Sequence, residues 1–392
     1  MTPAGATARS APSGQPENAG VTRLVLTQYR SYDSLHFTCD PSCVILTGEN
    51  GAGKTNILEA LSLFSPGTGL RHAKLGDLTR RVDTPTPPLW SAFLHVSEDG
   101  LTPLSLGTGL DLREGKERRL IQMDGRTPLS QSDLTRILGI LWLTPAMDRL
   151  FVEAASSRRR FLDRLVYLFD ASHASHVAKY DYLIRERLRL LKTRTTNAQW
   201  LDTLEEKAAQ VGVSLAAARL FFIERLNRVK YDALGCLPLP HLEVDGFLES
   251  LLKTHKALDV EGFFQERLRQ NRALDQESGR TTLGPHKTDL VVLYTHKNMP
   301  AAQSSTGEQK ALLLSLIMAT ARLRSQTREG VPLLLLDEVV AHLDPGRREA
   351  LLEEILYLGM QTWMTGTDRD AFSAVKGRMQ HFHLEKGGLT PL

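Results

Sequence analysis

An eight-residue segment rich in glycine has the composition and spacing of a phosphate-binding loop. Residues 48–55 read GENGAGKT and fit the pattern G-x-x-x-x-G-K-[ST], directly after a short apolar run and before a segment of helical periodicity. Glycines let backbone N–H groups turn toward phosphate oxygens, and the N-terminus of the following helix adds partial positive charge. The predicted ATP-binding residues are Gly48, Glu49, Asn50, Gly51, Ala52, Gly53, Lys54 and Thr55.

A second segment supplies the acidic groups that such a loop requires. The apolar run 332–336 is typical of a buried strand and ends at Asp337 and Glu338. We expect Lys54 to neutralise the β- and γ-phosphates, and Thr55 and Asp337 to hold Mg²⁺. Glu338 is then the predicted catalytic residue, because its carboxylate can polarise the attacking water as a general base.

A serine–glycine turn precedes an apolar helical segment later in the chain. Ser305 and Gly307 stand where a hydroxyl, backbone N–H groups and a helix N-terminus together can bind an anion, although an ordinary N-cap uses the same residue types. In this order the segments resemble those of ABC-type ATPases. The resemblance implies that Ser305 and Gly307 act in trans on the nucleotide of a second subunit, and that Asp344 belongs to the D-loop. Thr365 stands where many of these proteins have a switch histidine.

Further segments resemble the RecF family of recombinational-repair ATPases, and the similarity covers the chain from Leu24 onward. Two of them are more specific than the phosphate loop: WLTPAMDRLFVEAASSRRRFLD at 142–163 and GPHKTDL at 284–290. The chain departs from the family pattern at Met147 and Asp148, where Glu-Asp is usual, and at AHLD (341–344), where Ser-Glu-Leu-Asp is commoner. The other matching segments are QYRSY (28–32), GENGAGKTNILEAL (48–61) and GLR (69–71).

This resemblance implies a specific activity. An ATP-driven homodimer would bind double-stranded DNA near single-strand gaps and, with the partners RecR and RecO, help to load RecA and induce the SOS response. A weak, DNA-stimulated ATPase would reset the clamp. Arg30 and Tyr32 are candidates for contacts to the nucleotide base, with a purely structural turn as the alternative.

The elements that position these residues predict an α/β fold. The resemblance implies an ABC/SMC/Rad50-type P-loop ATPase head, formed by the N- and C-terminal parts of the chain, with an inserted α-helical arm domain. Strand-like alternation and helical periodicity divide the chain accordingly. The predicted domains are a disordered extension (1–20), the first part of the head (21–155), the arm (156–271) and the second part of the head (272–392).

The distribution of charge points to nucleic acid. The whole chain has 48 Lys and Arg against 45 Asp and Glu, a net charge of +3, whereas residues 156–230 have 15 against 8. Basic side chains bind DNA phosphates without reading sequence, and no segment resembles a base-reading module. The DNA-binding candidates are Arg158, Arg159, Arg160, Arg185, Arg189 and Lys192.

Cysteine content and hydropathy narrow the location. Three cysteines do not make a disulfide framework, which favours a reducing compartment. Cys39 and Cys43 are four residues apart, but no second cysteine pair nearby completes a zinc site. The richest apolar run, 311–321, is shorter than a membrane span requires. We therefore expect a cytoplasmic protein without a membrane partner.

Three other classes share the phosphate loop. The nucleotide-binding subunit of a transporter lacks both the long basic insertion and a counterpart of 284–290. An SMC-like structural protein needs far more heptad sequence between its two halves. A P-loop kinase lacks the serine–glycine turn. A RecF-like DNA-repair ATPase is the first interpretation, and an SMC-like or other ABC-type head with a structural DNA role is the alternative.

Overall fold

The computed structural model describes residues 19–81, 89–98, 101–113, 115–126, 129–193, 197–229, 237–327, 330–385 and 388–392. The chain forms two compact units. The first comprises 1–147, 231–237 and 317–392, and the second comprises 148–230 and 238–316. Most of the predicted N-terminal extension, residues 1–18, lies outside the described residues, and the first strand begins at Gly20. Among the described helices, none has the length and apolar character needed to span a membrane.

The strands of the described residues are, in chain order, β1 (Gly20–Tyr29), β2 (Tyr32–Thr38), β3 (Val44–Thr47), β4 (Ser91–Ser97), β5 (Leu104–Arg113), β6 (Lys116–Met123), β7 (Leu138–Leu143), β8 (Pro240–Asp245), β9 (Asp289–Tyr294), β10 (Met299–Pro300), β11 (Val331–Leu336), β12 (Gln361–Gly366), β13 (Gln380–Glu385) and β14 (Gly388–Pro391). The α-helices are α1 (Lys54–Ser62), α2 (Gln131–Ile137), α3 (Ala155–Tyr167), α4 (His173–Lys192), α5 (Ala198–Asn227), α6 (Phe247–Leu252), α7 (Ala257–Gln270), α8 (Arg272–Ser278), α9 (Thr306–Ser325) and α10 (Pro345–Leu358).

The first unit contains two sheets. One is antiparallel, in the order β2-β1-β4-β5-β6, and the other has the order β14-β13-β3-β12-β11-β7. In the second sheet β13, β3, β12, β11 and β7 run parallel, and only β14 is antiparallel to its neighbour. Every residue of β3 and β11 is buried, as expected for apolar strands in the middle of a parallel sheet. Residues of both sheets and of α1 share one core that includes Leu24, Leu46, Leu61, Leu335 and Trp363.

The second unit is mainly helical, with a small antiparallel sheet of order β10-β9-β8. The long helix α5 packs against α4 and α7. Their apolar faces form a separate core around Tyr180, Ala208, Ala216 and Phe264, all of which are almost completely buried. This core gives the helices of the unit a hydrophobic centre of their own.

The structure departs from the sequence interpretation at three places. The apolar periodicity of 156–192 predicts one long helical segment, whereas the structure has two helices, and the Asp170 side chain accepts the Ser172 N–H (2.8 Å) in the connection between them. The sequence of 362–365 predicts the final strand of the chain, but the corresponding strand β12 is followed by β13 and β14. The predicted arm ends at residue 271, whereas the second unit extends to residue 316. Strand β9 pairs with β8, and this pairing includes β9 in the mainly helical unit.

Candidate nucleotide-binding site

The predicted phosphate loop connects β3 to α1 in a conformation that only glycine fits at two positions. Gly48 has φ 152°, and a Cβ there would lie 2.3 Å from the carbonyl oxygen of Leu384 on β13. Gly53 has φ 109° and is the N-cap of α1, and a Cβ there would lie 2.5 Å from the hydroxyl of Tyr32. The loop is therefore packed closely between β13 and the start of β2. Only glycine, which has no Cβ, avoids a clash at these two positions.

Lys54 bends back over this loop. Its Nζ donates hydrogen bonds to the carbonyl oxygens of Gly48 (2.7 Å) and Glu49 (2.9 Å), and only 4% of the residue is exposed. Burial lowers the pKa of Lys54, while the negative charges of Glu338 and Asp337 act in the opposite direction. A poorly hydrated ammonium held at the entrance of a glycine-rich loop is suited to neutralise phosphate oxygens.

Two hydroxyls and one carboxylate meet at the end of β11. Thr55 Oγ1 donates to Asp337 Oδ1 (2.9 Å), and Thr365 Oγ1 donates to the same oxygen (2.7 Å). The hydroxyl of Thr365 also accepts the N–H of Glu338 (3.0 Å). A hydroxyl oxygen next to a carboxylate is the kind of hard donor set that Mg²⁺ prefers, so the residues present fit the predicted metal site.

Glu338 has a backbone conformation that is uncommon for its residue type. Its φ is 54°, in the left-handed region, immediately after a strand that is buried throughout. The N–H of Asp337 bonds to the carbonyl of Leu143, so the chain is fixed just before this residue. Conformations of this kind cost about 1 kcal/mol or more and are concentrated at functional sites. The half-buried Glu338 side chain is thus held at the end of the strand that carries Asp337.

Arg30 and Tyr32 have partners within the first unit. Arg30 makes a two-point contact with the carboxylate of Glu59 (2.8 and 2.6 Å) and donates to the carbonyl of Asp77. The buried Tyr32 hydroxyl donates to the carbonyl of Gly53 (3.1 Å). These contacts correspond to the structural turn that sequence left open, and they provide no support for a base-side role. Glu59 was missed, although an acid among the apolar residues of α1 was a visible signal.

The signature residues begin helix α9 and belong to the second unit. Ser305 forms a capping box with Glu308: its N–H donates to the glutamate (3.0 Å) and its hydroxyl accepts the Glu308 N–H (3.4 Å). Hydrogen bonds from Lys297 and Ser305 lower the pKa of Glu308 to about 2. Ser305 and Gly307 are both exposed, and a Cβ on Gly307 would meet no atom within 4 Å. The turn is thus an N-cap with an open outer surface.

The D-loop candidate also caps a helix. The carboxylate of Asp344 accepts the N–H of Arg347 (3.1 Å) at the start of α10, and Pro345 occupies the first turn. Asp344 is exposed, and it follows the catalytic candidate Glu338 by six residues in the first unit. This capping contact fixes the C-terminal end of the short connection between Glu338 and Asp344.

Two of the six DNA-binding candidates are engaged inside the second unit. Arg158 makes a two-point ion pair with Asp289 (2.8 and 2.6 Å), and Arg159 donates to the carbonyl of Thr288 (2.7 Å). Burial lowers the pKa of Arg159. Both arginines are half-buried and contact the segment 284–290, so these bonds give them a structural role, and their assignment as DNA contacts stays a prediction. The remaining candidates are exposed: Arg160, Arg185, Arg189 and Lys192.

Part of the basic surplus is buried. Arg187 is 0% exposed and bonds to Glu205 and Asp275, and Arg219 bonds to both carboxylate oxygens of Asp163. Asp275 lies outside the segment in which the surplus was counted. The net charge of residues 156–230 therefore overstates the positive charge that a DNA molecule would meet.

Comparison with known proteins gives consistent results. Residues 20–387 match the family described as RecF/RecN/SMC N terminal domain. The DNA replication and repair protein RecF of Rhizobium rhizogenes (strain K84 / ATCC BAA-868) is 43% identical over 377 residues, which is 96% of this chain and 99% of that protein. The protein of the same name from Mesorhizobium japonicum (strain LMG 29417 / CECT 9101 / MAFF 303099) is 40% identical over 380 residues, with the same coverage.

Solved structures resemble the fold of this chain. The recombination mediator protein RecF-ATP in the RecFOR pathway has a TM-score of 0.81 at 21% identity, covering 97% of this chain and 99% of that chain. The Smc head domain of Pyrococcus furiosus, with an extended coiled coil and bound to the C-terminal domain of ScpA, has a TM-score of 0.53 at 12% identity, covering 95% and 96%. At these identities the similarity concerns the fold.

Proposed function

The chain belongs to the RecF family, and we propose from this premise that it is an ATP-dependent DNA-binding protein of recombinational repair and replication-fork maintenance. The similarity extends over 96% of the chain and 99% of its relative, so it includes both units. An ATP-driven homodimer binds double-stranded DNA near single-strand gaps. Together with RecO and RecR it assists RecA loading and SOS induction, a role that requires a cytoplasmic location.

The observation that carries this proposal is the arrangement of Lys54, Thr55, Asp337 and Glu338. Thr55 and Asp337 are 282 positions apart in sequence, yet their oxygens are 2.9 Å apart. Mg²⁺ held there supplies charge neutralisation for the triphosphate. Lys54 binds the β- and γ-phosphates, while the backbone N–H groups of 48–53 surround them.

Hydrolysis requires a base and an ordered water. The carboxylate of Glu338 accepts a proton from a water molecule as that water attacks the γ-phosphorus. Asp337, whose Oδ1 accepts hydrogen bonds from two hydroxyls, is assigned to the metal ion in this proposal, which leaves Glu338 as the acid that takes the proton. We propose a weak, DNA-stimulated ATPase in which hydrolysis resets the clamp rather than driving work continuously.

A second subunit completes the site in this proposal. Ser305 and Gly307 form an exposed turn at a helix N-terminus, where backbone N–H groups and the helix dipole attract anions. We propose that this turn closes on the γ-phosphate bound by the partner subunit, and that Asp344 lies at the same interface. Dimerisation then depends on ATP, since the phosphate contributes part of the contact.

Variants at two positions separate nucleotide binding from hydrolysis. Lys54→Ala removes the phosphate-binding ammonium, and we expect no ATP-dependent dimer and no ATP-dependent retention of DNA. Glu338→Gln removes the base but keeps the fold, and we expect a long-lived ATP-bound dimer on DNA. Light scattering after size separation, with and without ATP and Mg²⁺, measures both effects. Glu349→Gln, an exposed glutamate of the same unit, is the matched control.

The result that contradicts the clamp is a dimer of equal stability with and without ATP in the wild type and in both variants. A dimer that forms normally and retains DNA without any preference for single-strand gaps would favour the alternative, an SMC-like or other ABC-type head with a structural DNA role. In that alternative the Glu338→Gln dimer still forms with ATP, so the two functions are distinguished by the DNA measurement.

A further inference from the structure

The C-terminal half of helix α4 has an exposed basic face. One aromatic side chain lies at the end of this face that is nearer the N-terminus of the helix. The exposed positions are spaced three or four residues apart and therefore lie on one side of the helix. The opposite side, including Tyr180, Leu183 and Leu191, is buried in the unit. We define the α4 face as the four exposed residues Tyr182, Arg185, Arg189 and Lys192.

A residue distant in sequence adds charge next to this face. Helix α8 contacts α4 and ends at Gly279, which has φ 66°. A Cβ on Gly279 would lie 3.8 Å from Lys192 Nζ, so the ammonium of Lys192 lies against this turn. The next residue, Arg280, is exposed. Acids close to these cations in sequence are Asp181, Glu186 and Glu277.

The arginines of the α4 face are held less firmly than those that fix the interior. Arg189 pairs with Glu186 three residues away (2.7 Å), with 66% of the arginine side chain exposed. Arg185 donates from Nε to the carbonyl of Asp181 in its own helix. Exposed pairs of this kind are weak and open readily to another anion. Arg187, on the buried side of the same helix, is instead fixed by two acids.

We propose that the α4 face and Arg280 bind DNA at a junction between double- and single-stranded segments, with the cations on phosphates and Tyr182 stacked on an unpaired base. This inference rests on the proposed DNA-binding function and specifies where and how DNA is held. Arg185 and Lys192 are about 10 Å apart along the helix axis. Over that distance one DNA strand has about three phosphates, which matches the number of cations on the helix.

The aromatic residue makes the surface specific for the junction. Tyr182 is 56% exposed and lies one turn before Arg185, at the end of the row of cations. Aromatic side chains bind single strands by stacking on bases, whatever the base sequence. In a continuous duplex the base faces are covered by their neighbours, so Tyr182 gains a partner only where a strand is unpaired. An acidic protein could neutralise the same cations, but it would not explain a preference for gapped DNA over continuous duplex.

The test compares the affinity of the full-length chain for two DNA molecules, in the presence of ATP and Mg²⁺. Fluorescence anisotropy measures binding to a labelled duplex and to the same duplex carrying a single-strand gap. We expect Tyr182→Ala to weaken binding of gapped DNA about tenfold and of duplex less than about twofold, and Tyr182→Phe to bind both normally. The control is Phe221→Ala, because Phe221 is an exposed aromatic of the same unit (62%) that also lies beside an arginine.

The cations are tested together. We expect the triple variant Arg185→Ala/Arg189→Ala/Lys192→Ala to bind both DNAs at least about tenfold more weakly, and the slope of log affinity against log salt to fall by about 2 to 3 units. The double variant Arg267→Ala/Arg269→Ala removes exposed arginines of α7 and is expected to change neither quantity. Circular dichroism and ATP binding establish that each variant is folded.

Each alternative outcome has a definite meaning. Equal weakening of both DNAs by Tyr182→Ala, or normal DNA binding by the triple variant, overturns the inference, and the latter would assign the α4 face to an acidic protein partner. If Tyr182→Phe is as weak as Tyr182→Ala, the effect is not stacking. If the wild type binds neither DNA, the proposed function itself fails, whereas failure of this inference alone leaves wild-type binding intact.

Discussion

At the residue scale, Thr365 connects the two acids of the nucleotide site. Its hydroxyl donates to Asp337 and accepts the N–H of Glu338, so one side chain contacts both the proposed metal ligand and the backbone of the proposed general base. Many ABC-type ATPases have a histidine at this position of the strand. A buried threonine cannot take up a proton at neutral pH, and its contribution is therefore one of positioning.

We expect Thr365→Val to reduce the rate of hydrolysis about tenfold, because the lost donor lets the Asp337 carboxylate and the Glu338 backbone reorient. The affinity for ATP should change less than about threefold, since no residue that binds phosphate is altered. Thr365→Ser keeps the hydroxyl and should restore the rate. Single-turnover hydrolysis and nucleotide affinity measure the two effects, and a serine variant as slow as the valine variant would contradict the role of the hydroxyl.

The proposed phosphate-binding residues could be chosen from the sequence because their pattern is local. Lys54 and Thr55 follow glycines in a fixed pattern, and Asp337 and Glu338 end a strand of continuous apolar residues. The roles of Arg30, Tyr32 and Thr365 depended on distant partners. No spacing in the chain indicated that Tyr32 bonds to Gly53 or that Arg30 bonds to Glu59.

At the element scale, one buried ion-pair cluster joins three helices and a loop of the second unit. Asp163 of α3 accepts hydrogen bonds from Arg219 of α5 and contacts His173 of α4, and Arg219 also donates to the carbonyl of Pro285. Burial alone would raise the pKa of Asp163, but Arg219 and His173 lower it to about 2. Because this pKa lies below the ordinary value of 3.8, the carboxylate stabilises the fold above about pH 4 and loses that contribution as the pH falls toward 2.

We expect Asp163→Asn to lower the free energy of unfolding of the second unit by about 3 kcal/mol at pH 7, because the buried Arg219 then keeps only the more distant carboxylate of Glu249 (3.6 Å) as a counter-charge. The difference in the free energy of unfolding between the variant and the wild type should become smaller between pH 4 and pH 2, because the wild-type carboxylate becomes protonated there. Urea unfolding across this pH range measures it. Glu206→Gln, at an exposed position of α5, is the control, and a difference that stays constant with pH would contradict the assignment.

Helices and strands with strong periodicity were predicted well, and the charged positions within them were not. The strand β11 begins one residue before the predicted apolar run 332–336 and ends with it, because the run is distinct from its polar neighbours. Arg187 looks in sequence like its neighbours Arg185 and Arg189, yet it is the one that faces the interior. Its burial depends on Asp275, a partner 88 positions away, which periodicity does not reveal.

At the scale of the whole molecule, each unit has a hydrophobic core of its own. The core of the first unit includes residues of β3, β11 and β12, which surround the nucleotide site, and the core of the second unit is formed by residues of α4, α5, α6 and α7. A ligand that binds only the first unit stabilises that unit in proportion to its occupancy. The two units are therefore expected to respond differently to nucleotide.

We expect differential scanning calorimetry to resolve two unfolding transitions. ATP with Mg²⁺ should raise the midpoint temperature of only one of them. At a nucleotide concentration 100 times the dissociation constant, the stabilisation is about 2.7 kcal/mol. Asp163→Asn should lower the other transition, and Lys54→Ala should abolish the effect of ATP. A single transition that nucleotide and Asp163→Asn shift together would contradict independent unfolding of the units.

The position of β3 in its sheet has a consequence for the order of events during synthesis. This strand lies between β12 and β13, and the first glycine of the phosphate loop touches Leu384. Both neighbouring strands emerge from the ribosome more than 300 residues after β3. At about 5–20 residues per second, the loop-bearing strand waits roughly 15–60 s for its partners. The strand that carries the candidate phosphate loop therefore completes its place in the sheet only when translation is nearly finished, and we expect truncated chains to lack a formed nucleotide site.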